Sequence, residues 1–147
     1  MATALDEAKT LLTTNGYSVT GPRIALFQTL EKSGPLTISE IARKIGAKVD
    51  RASVYRAINL FIDLGIAHRV NVGWKYLIEL SDTFIEHHHH LTCTNCQKFI
   101  SIKQDEFESF IERISREYKF EPTAHQIEIQ GLCSDCARKS KRKSRKH

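Results

Sequence analysis

Four cysteines stand in two C-x-x-C pairs, Cys93 with Cys96 and Cys133 with Cys136, and this spacing constrains the fold more than any other feature. A C-x-x-C turn can direct two thiolates at one ion, so the two pairs supply the four sulfurs of a closed tetrahedral zinc site. The alternatives are a redox dithiol or two unrelated reactive pairs. If the chain is cytosolic, its thiols are kept reduced, which favours metal binding over disulfide formation. The sequence therefore predicts a structural zinc site that joins two distant parts of the chain.

The segment between the two cysteine pairs is long enough to form a small subdomain. Its residue pattern predicts a strand over 99–102, a helix over 105–118 and a second strand over 125–129. Four apolar side chains of the helix recur at the helical period and are expected to face inward: Phe107, Phe110, Ile111 and Ile114. We therefore expect a small α/β domain around the zinc site.

A run of histidines, His87–His90, lies immediately before the first cysteine pair. Successive side chains of an extended chain alternate faces, which directs His88 and His90 to one side and His87 and His89 to the other. The run can thus serve two metal sites. The candidate partners elsewhere are His68, Glu79, Glu108 and His125. The alternative is a solvated histidine-rich loop, but four adjacent histidines so close to a predicted zinc ligand favour metal binding.

The first 65 residues have hydrophobic positions that recur at the helical period of about 3.6 rather than the strand period of 2. The pattern predicts four helices. Thr3, Thr37 and Asp50 are expected to cap the first, third and fourth helices, and Pro22 fits the first turn of the second. The N-terminal half is therefore predicted to be a helical domain.

The fourth predicted helix follows Asp50 and has two different faces, of which one is apolar. The other carries Arg51, Tyr55 and Asn59 at positions i, i+4 and i+8, with Arg56 beside them. Arginine can pair with guanine and asparagine with adenine, while tyrosine can stack on a base or form a hydrogen bond with a phosphate. This helix is a candidate reader of the DNA major groove; the alternative is an ordinary solvated helix face.

Two segments rich in β-branched and aromatic residues follow this helix, at 66–72 and 74–80, with Gly73 as the turn residue between them. They predict a β-hairpin. Helices followed by a two-stranded hairpin form the winged-helix variant of the helix-turn-helix architecture. This context favours nucleic-acid binding over a merely solvated helix face.

Charge is distributed unevenly, with net charges of +3 over residues 1–73, −5 over 74–137 and +7 over 138–147. The asymmetry indicates a basic module that can meet a polyanion and an acidic module with another role. Residues 138–147 contain no apolar side chain and are predicted to be a disordered basic tail. Such a tail either adds non-specific DNA affinity or only improves solubility.

The 147-residue chain has no apolar run near the roughly 20 residues needed to cross a bilayer. Its N-terminus places Asp6 and Glu7 where a secretory signal needs basic and then apolar residues. We therefore expect a cytoplasmic protein that has no membrane partner.

Five motifs carry a resemblance to a known family: Val19–Arg23, Ser53–Ala57, Asp63–Ile66, His87–Cys96 and Gly131–Cys136. Taken in order, they resemble the ferric uptake regulator family of bacterial metal-dependent repressors over residues 5–137. The resemblance implies a homodimer in which a winged-helix domain binds a palindromic operator and an α/β domain forms the dimer interface. It also implies that metal loading favours the DNA-binding shape.

The same resemblance implies the roles of individual residues. The four cysteines match the structural zinc ligands. The regulatory hinge site is matched by His68, Glu79, His88 and His90. A further site in the dimerisation domain is matched by His87, His89, Glu108 and His125. Tyr55 and Arg56 match the DNA-contacting pair. The full set of predicted DNA-binding residues is Arg23, Arg51, Ser53, Tyr55, Arg56 and Asn59.

Departures from the family pattern favour one metal. Iron-sensing and peroxide-sensing members usually have a histidine ligand where this chain has Gly34–Leu36, and a carboxylate where it has Ser101. His68 lies where zinc-sensing members place an aspartate. The remaining four nitrogen and oxygen ligands suit tetrahedral Zn²⁺ better than six-coordinate Fe²⁺ or Mn²⁺. We therefore expect a zinc-sensing regulator, with an iron or peroxide sensor of the same family as the alternative.

The expected architecture is an α+β chain with two domains and no enzymatic activity. A winged-helix domain is predicted over residues 1–80, a hinge over 81–86 and a metal-binding dimerisation domain over 87–137. A zinc-dependent hydrolase or deaminase is the rival class, but its H-E-x-x-H and H-x-E with P-C-x-x-C motifs are missing from the sequence. A metal-storage protein would leave the winged helix unexplained. No small-molecule substrate is expected.

Overall fold

The computed structural model describes residues 2–144 and divides into two compact units. The first unit ends at Glu86 and the second begins at His87. Within the described residues, no helix is long and apolar enough to cross a membrane.

Over residues 2–86, the first unit contains four helices and a two-stranded sheet. Its elements are α1 (Ala4–Thr14), α2 (Gly21–Ser33), α3 (Ile38–Ile45), α4 (Arg51–Asp63), β1 (Ala67–Val72) and β2 (Lys75–Leu80). This is the predicted order of helices followed by a hairpin, in which the antiparallel β1 and β2 form the wing.

Helix starts in this unit follow the capping residues seen in the sequence. Thr3 and Thr37 each form a reciprocal capping box, with Asp6 and Glu40 respectively. Asp50 caps α4 by accepting a hydrogen bond from the Ser53 backbone amide at 2.9 Å. Each cap satisfies amide groups that have no partner inside the helix.

The core of the first unit is formed by apolar side chains of α2, α3 and α4 that pack against the base of the wing. Its fully buried members include Phe27, Ile41, Ile58, Phe61 and Ile78. Burial of each such side chain contributes roughly 1.5–3 kcal/mol relative to exposure. This dense core fixes α4 and the wing as parts of one body.

The wing has a two-residue turn, because Val72 and Lys75 are cross-strand partners. Gly73 is the first turn residue and has a φ of 60°, a conformation that glycine adopts without steric cost. At the other end of the hairpin, Leu36 forms an isolated bridge with Ile78. The tip of the wing is therefore Gly73 followed by Trp74.

The segment 81–86, predicted as a hinge, packs onto the first unit. The Phe84 ring meets the Phe27 ring edge-on, with centroids 5.5 Å apart, and Ile85 also lies against this core. The Ser81 amide donates to the Ile66 carbonyl at 3.0 Å. These contacts continue the first unit to Glu86.

Over residues 87–144, the second unit consists of a three-stranded sheet with two helices. Its elements are β3 (His89–Cys93), β4 (Phe99–Ile102), α5 (Asp105–Glu117), β5 (Glu128–Gly131) and α6 (Ser134–Ser144). The strand order is β4-β3-β5, with β3 antiparallel to β4 and parallel to β5. The histidine run thus leads directly into the central strand.

Two sequence expectations for this unit need correction. The last strand was expected over 125–129 but occupies Glu128–Gly131, because this half-exposed edge strand has little hydrophobic pattern to fix its limits. Two α5 side chains expected to face inward, Phe110 and Ile114, are 49% and 39% exposed. A sheet of three short strands is too small to cover the whole apolar face of α5.

Most of the tail that was predicted to be disordered is helical in the structure. Helix α6 runs through Ser144, so residues 138–144 are helical rather than disordered, and 145–147 lie outside the described residues. Lysine and arginine have high helix propensity, and the helix is anchored near its start by buried Cys136. The basic segment can therefore extend α6 despite its low hydrophobicity, because lengthening an existing helix is easier than starting a new one.

Candidate metal centres and nucleic-acid interface

Parallel pairing of β3 with β5 brings the two C-x-x-C pairs together. Cys93 ends β3 opposite Gly131 at the end of β5, so the turns that follow both strands meet at one edge. The four Sγ atoms lie within 4.8 Å of one another, and those of Cys96 and Cys133 are 3.7 Å apart. Thiolates bound tetrahedrally at about 2.3 Å from zinc are roughly 3.8 Å from each other. The arrangement fits a closed four-sulfur zinc site.

Backbone amides around these sulfurs favour the thiolate form at one position. The pKa of Cys93 is lowered to about 6, chiefly by the amide of Cys133 and then by that of Cys96. The Lys98 amide lowers the pKa of Cys96, but the neighbouring thiols, above all that of Cys93, outweigh it and raise this pKa to about 11. Four clustered sulfurs cannot all be anions without a cation to balance them, which is the role of a bound metal ion.

A second cluster in the same unit combines His87, His89, Glu108 and His125, with ligand atoms within 4.8 Å of one another. The Nε2 atoms of His87 and His125 are 2.9 Å apart. Glu108 Oε1 lies 3.1 Å from Nε2 of His89 and 3.1 Å from Nε2 of His125. Tetrahedral nitrogen and oxygen ligands at about 2.0–2.1 Å from zinc are roughly 3.3 Å apart. The separations in this cluster fit a metal ion held by three imidazoles and one carboxylate.

Electrostatics in this second cluster favour metal-binding protonation states. Burial lowers the pKa of His89, even though Glu108 acts in the opposite sense. Burial raises the pKa of Glu108, but hydrogen bonds and charges of the surrounding histidines, above all His125, lower it by more. A neutral imidazole and an ionised carboxylate are the forms that coordinate metal.

The residues expected at the regulatory hinge site lie in both units. In the first unit, His68 and Glu79 are cross-strand partners on the wing, with His68 Nε2 3.5 Å from Glu79 Oε2. In the second unit, the rings of His88 and His90 meet edge-on with centroids 4.7 Å apart. The alternation expected for the histidine run is observed, because His87 and His89 instead contact His125.

Helix α4 has the two faces expected from its sequence. Its core-facing residues are Val54, Ala57, Ile58, Leu60 and Phe61. The opposite face is exposed and carries Arg51, Tyr55, Arg56 and Asn59, with Tyr55 48% exposed. This surface offers cationic, aromatic and amide groups on one rigid element.

Two of the predicted DNA-binding residues also make contacts within α4. The Ser53 hydroxyl donates to Asp50 at 2.6 Å and accepts from an Arg56 guanidinium nitrogen at 2.9 Å. The hydrogen bonds from Ser53 hold the pKa of Asp50 below its ordinary value. Ser53 therefore links the helix cap to Arg56 and orients its guanidinium group.

Arg23 lies on α2 rather than α4. Its guanidinium donates to the Ser18 carbonyl and sits over the Tyr17 ring, 5.7 Å from the centroid. The structure therefore places Arg23 in a basic and aromatic group at the start of α2.

An apolar face of the second unit was not singled out in the sequence. Ile100 on β4 and Ile129 on β5 flank Leu91 on the central strand, and they are 41% and 45% exposed. Phe110, Ile114 and Leu132 add further exposed apolar surface. The sequence signal was the helical period of α5, which shows that its apolar side chains share one face but not whether that face is covered.

Comparison with known proteins decides the family. Residues 14–130 match the profile of the Ferric uptake regulator family. The chain belongs to this family. Fur proteins are metal-responsive transcription regulators that bind DNA as dimers and are not enzymes, so the predicted family and α+β fold are confirmed and the zinc-enzyme alternative is excluded.

Individual Fur relatives extend over most of the chain. The ferric uptake regulation protein of Yersinia pestis is 32% identical over 124 residues, which are 80% of this chain and 82% of that protein. A crystal structure of the Vibrio cholerae ferric uptake regulator is 29% identical, with a TM-score of 0.71 over 86% of this chain and 99% of that one. A zinc-bound manganese uptake regulator is 30% identical, with a TM-score of 0.64 over 88% and 98%.

Proposed function

We propose that this Fur-family chain is a zinc-responsive repressor that binds a palindromic operator as a metal-loaded homodimer in the cytoplasm. One Zn²⁺ held by Cys93, Cys96, Cys133 and Cys136 is structural. A regulatory ion is held by His68, Glu79, His88 and His90. A further ion is held by His87, His89, Glu108 and His125.

The observation that carries zinc selectivity concerns the two positions that would enlarge the hinge site. Leu36 is buried in the core of the first unit, and its backbone is hydrogen-bonded to that of Ile78. Its side chain has no atom that can bind a metal ion. Ser101 is the cross-strand partner of His90, and it presents a hydroxyl group in place of a carboxylate. A site of three imidazoles and one carboxylate suits four-coordinate zinc, whereas iron and manganese prefer six ligands.

The regulatory step follows from which residues belong to which unit. His68 and Glu79 lie on the wing in the first unit, whereas His88 and His90 belong to the second unit, just before and within β3. One ion bound by all four would fix the angle between DNA-binding and dimerisation domains. A metal favours one arrangement only by the difference in its affinity for the alternatives. That arrangement would present the α4 helices of two protomers to successive major grooves, about 34 Å apart.

DNA recognition is assigned to the exposed face of α4, with Tyr55 and Arg56 at its centre. The hydrogen bond from Arg56 to Ser53 at 2.9 Å supports a preset guanidinium orientation, which reduces the entropy lost when a base or phosphate is bound. Arg51 and Asn59 extend the surface along the helix, and Arg23 adds a contact from α2.

A second copy of the chain is proposed to cover the exposed apolar face of the second unit. Ile100, Phe110, Ile114, Ile129 and Leu132 form a group of half-exposed side chains on β4, α5, β5 and the β5–α6 turn. Such a patch is typical of a homodimer interface. Dimerisation through it would also provide the missing cover for α5.

The test combines metal analysis with DNA binding. Duplexes enriched from a random-sequence library by the zinc-loaded protein should be palindromic, and zinc should increase affinity for them at concentrations where Fe²⁺ and Mn²⁺ do not. Purified protein should retain one thiolate-bound zinc per chain after mild chelation. A response to iron or manganese where zinc has no effect would overturn the zinc assignment and favour the iron-sensor or peroxide-sensor alternative.

A further inference from the structure

The two C-x-x-C turns are linked by hydrogen bonds that end on sulfur. The backbone amide of Cys133 in the second turn donates to Cys93 Sγ in the first at 3.3 Å. In the opposite direction, the side-chain amide of Asn95 in the first turn donates to Cys136 Sγ in the second at 3.1 Å. Each turn therefore supplies a donor to a sulfur of the other turn.

The two sulfurs that receive these bonds belong to the buried cysteines. Cys93 and Cys136 are 4% and 6% exposed, whereas Cys96 is exposed. Water can donate hydrogen bonds to an exposed thiolate, but a buried thiolate depends on the protein for its donors. Four thiolates carry more negative charge than one Zn²⁺ balances, so N–H groups at the buried sulfurs stabilise the excess charge.

Of these two donors, only Asn95 depends on the identity of a side chain. The Cys133 donor is a backbone amide, which most residues would supply at that position. The position in the second turn that corresponds to Asn95 is Asp135, whose carboxylate has no hydrogen to donate and pairs with Arg138. A donor to sulfur is thus a particular property of the first turn and not of C-x-x-C turns in general.

Other contacts hold the first turn in place independently of Asn95. The Thr94 amide donates to the Gly131 carbonyl at 2.8 Å, and the Thr94 hydroxyl donates to the same carbonyl at 3.3 Å. The Gln97 amide donates to the Cys93 carbonyl at 2.8 Å. Loss of the Asn95 amide should therefore leave the turn folded and change only the surroundings of the sulfur that it contacts.

We propose that Asn95 is a positioning residue of the four-sulfur site, whose amide stabilises the Cys136 thiolate and joins the two turns around the metal ion. The inference rests on the proposed structural zinc. A hydrogen bond to an ionised acceptor is roughly twice as strong as one between neutral groups, so it fixes the position of this sulfur. It also keeps Cys136 beside the ion when another zinc–sulfur bond opens. The first turn thus controls how firmly the second turn holds zinc.

The first test measures zinc affinity of the full chain after mild chelation has removed exchangeable metal. Zinc is titrated between the protein and the chelator pyridylazoresorcinol. Asn95→Ala should weaken zinc binding about 10- to 100-fold, the usual effect of removing a group that hydrogen-bonds a metal ligand. Asn95→Asp should weaken it further, because a carboxylate of the same shape repels the thiolates instead of donating to them.

Thr94→Ala is the matched control. Thr94 lies in the same exposed turn, but its hydroxyl donates to a backbone carbonyl instead of a sulfur. This variant should bind zinc with the affinity of the wild type. An equal loss in Thr94→Ala and Asn95→Ala would contradict the proposal, because it would show that any change in the turn weakens the site.

A second test reports on the sulfur itself. When Co²⁺ replaces zinc, the site absorbs light by charge transfer from thiolate sulfur to the metal, and a hydrogen bond to sulfur raises the energy of this transition. Asn95→Ala should therefore shift the band to longer wavelength, whereas Thr94→Ala should not. Either wild-type zinc affinity or an unshifted band in Asn95→Ala would overturn the role of Asn95 and leave the zinc site intact. A wild-type chain that retains no thiolate-bound zinc would instead overturn the proposed structural zinc.

Discussion

The two units of this chain differ in the side chains that form the interior of each unit. The first is stabilised by a continuous apolar core that includes Leu26, Phe27 and Phe61. In the second, the buried residues within the described part of the chain are His89, His90, Thr92, Cys93 and Cys136. These five side chains are all polar groups or potential ligands. An apolar core thus stabilises the first unit, whereas the second buries polar groups and potential metal ligands in place of such a core.

The sharpest test of this contrast is removal of a thiolate. Cys93→Ser or Cys133→Ser should release the zinc and unfold the second unit, because structural zinc supplies on the order of 10 kcal/mol of folding free energy. The first unit should stay folded. Metal content and residue-level hydrogen exchange measure both effects, and Ser134→Ala, at an exposed position between two cysteines, is the control. A folded, zinc-free second unit would contradict the assignment.

A core substitution tests the other side of the comparison. Phe61 is 1% exposed, and Phe61→Ala should destabilise the first unit by about 3–5 kcal/mol through lost burial and a cavity. The loss should be the same with and without chelator, as measured by denaturant unfolding of the first unit. A loss that depends on zinc would show that the two units do not have separate sources of stability.

The hinge ligands test whether metal serves regulation as well as folding. His88→Ala combined with His90→Ala should keep the cysteine-bound zinc and the dimer, yet lose the metal-dependent gain in operator affinity, a coupling of about 1–3 kcal/mol. DNA-binding titrations with and without added zinc measure the effect. If zinc still increases affinity, the regulatory ion is bound elsewhere, and the next ligands to change are His87, His89, Glu108 and His125.

The α4 surface should affect DNA binding and not stability. Arg56→Ala should cost about 1–3 kcal/mol of operator affinity if the guanidinium contacts a base, or chiefly reduce the salt dependence if it contacts a phosphate. Unfolding measurements should give wild-type stability. The double variant with Tyr55→Ala should lose more. Operator affinity equal to that of the wild type in the double variant would refute the placement of these residues.

The smallest expected effect concerns the capping box of α3. Thr37→Ala should destabilise the first unit by about 1 kcal/mol. Hydrogen bonds from Thr37 hold the pKa of Glu40 below its usual 4.5, so this contribution is complete above pH 4.5 and is lost as the pH falls through the lowered value. The stability difference from wild type should therefore shrink in acid; an equal difference at neutral and acidic pH would show that Glu40 is not involved.

Sequence alone determined the local features of this protein. Thr3, Thr37 and Asp50 marked three helix starts because capping depends only on residues three positions apart. The two faces of α4 followed from helical periodicity. The two C-x-x-C pairs predicted that their four sulfurs lie close together, because a closed four-sulfur site needs both pairs.

Tertiary structure decided what depends on distant surfaces. The limits of β5 follow from its pairing with β3, not from its own pattern, and the exposure of Phe110 follows from the small size of the sheet beside α5. A cation–π contact between Arg69 and Tyr76 required the cross-strand register of the wing. Periodicity shows which side chains share a face, but only the packing of the whole chain decides whether that face is covered or left for a partner.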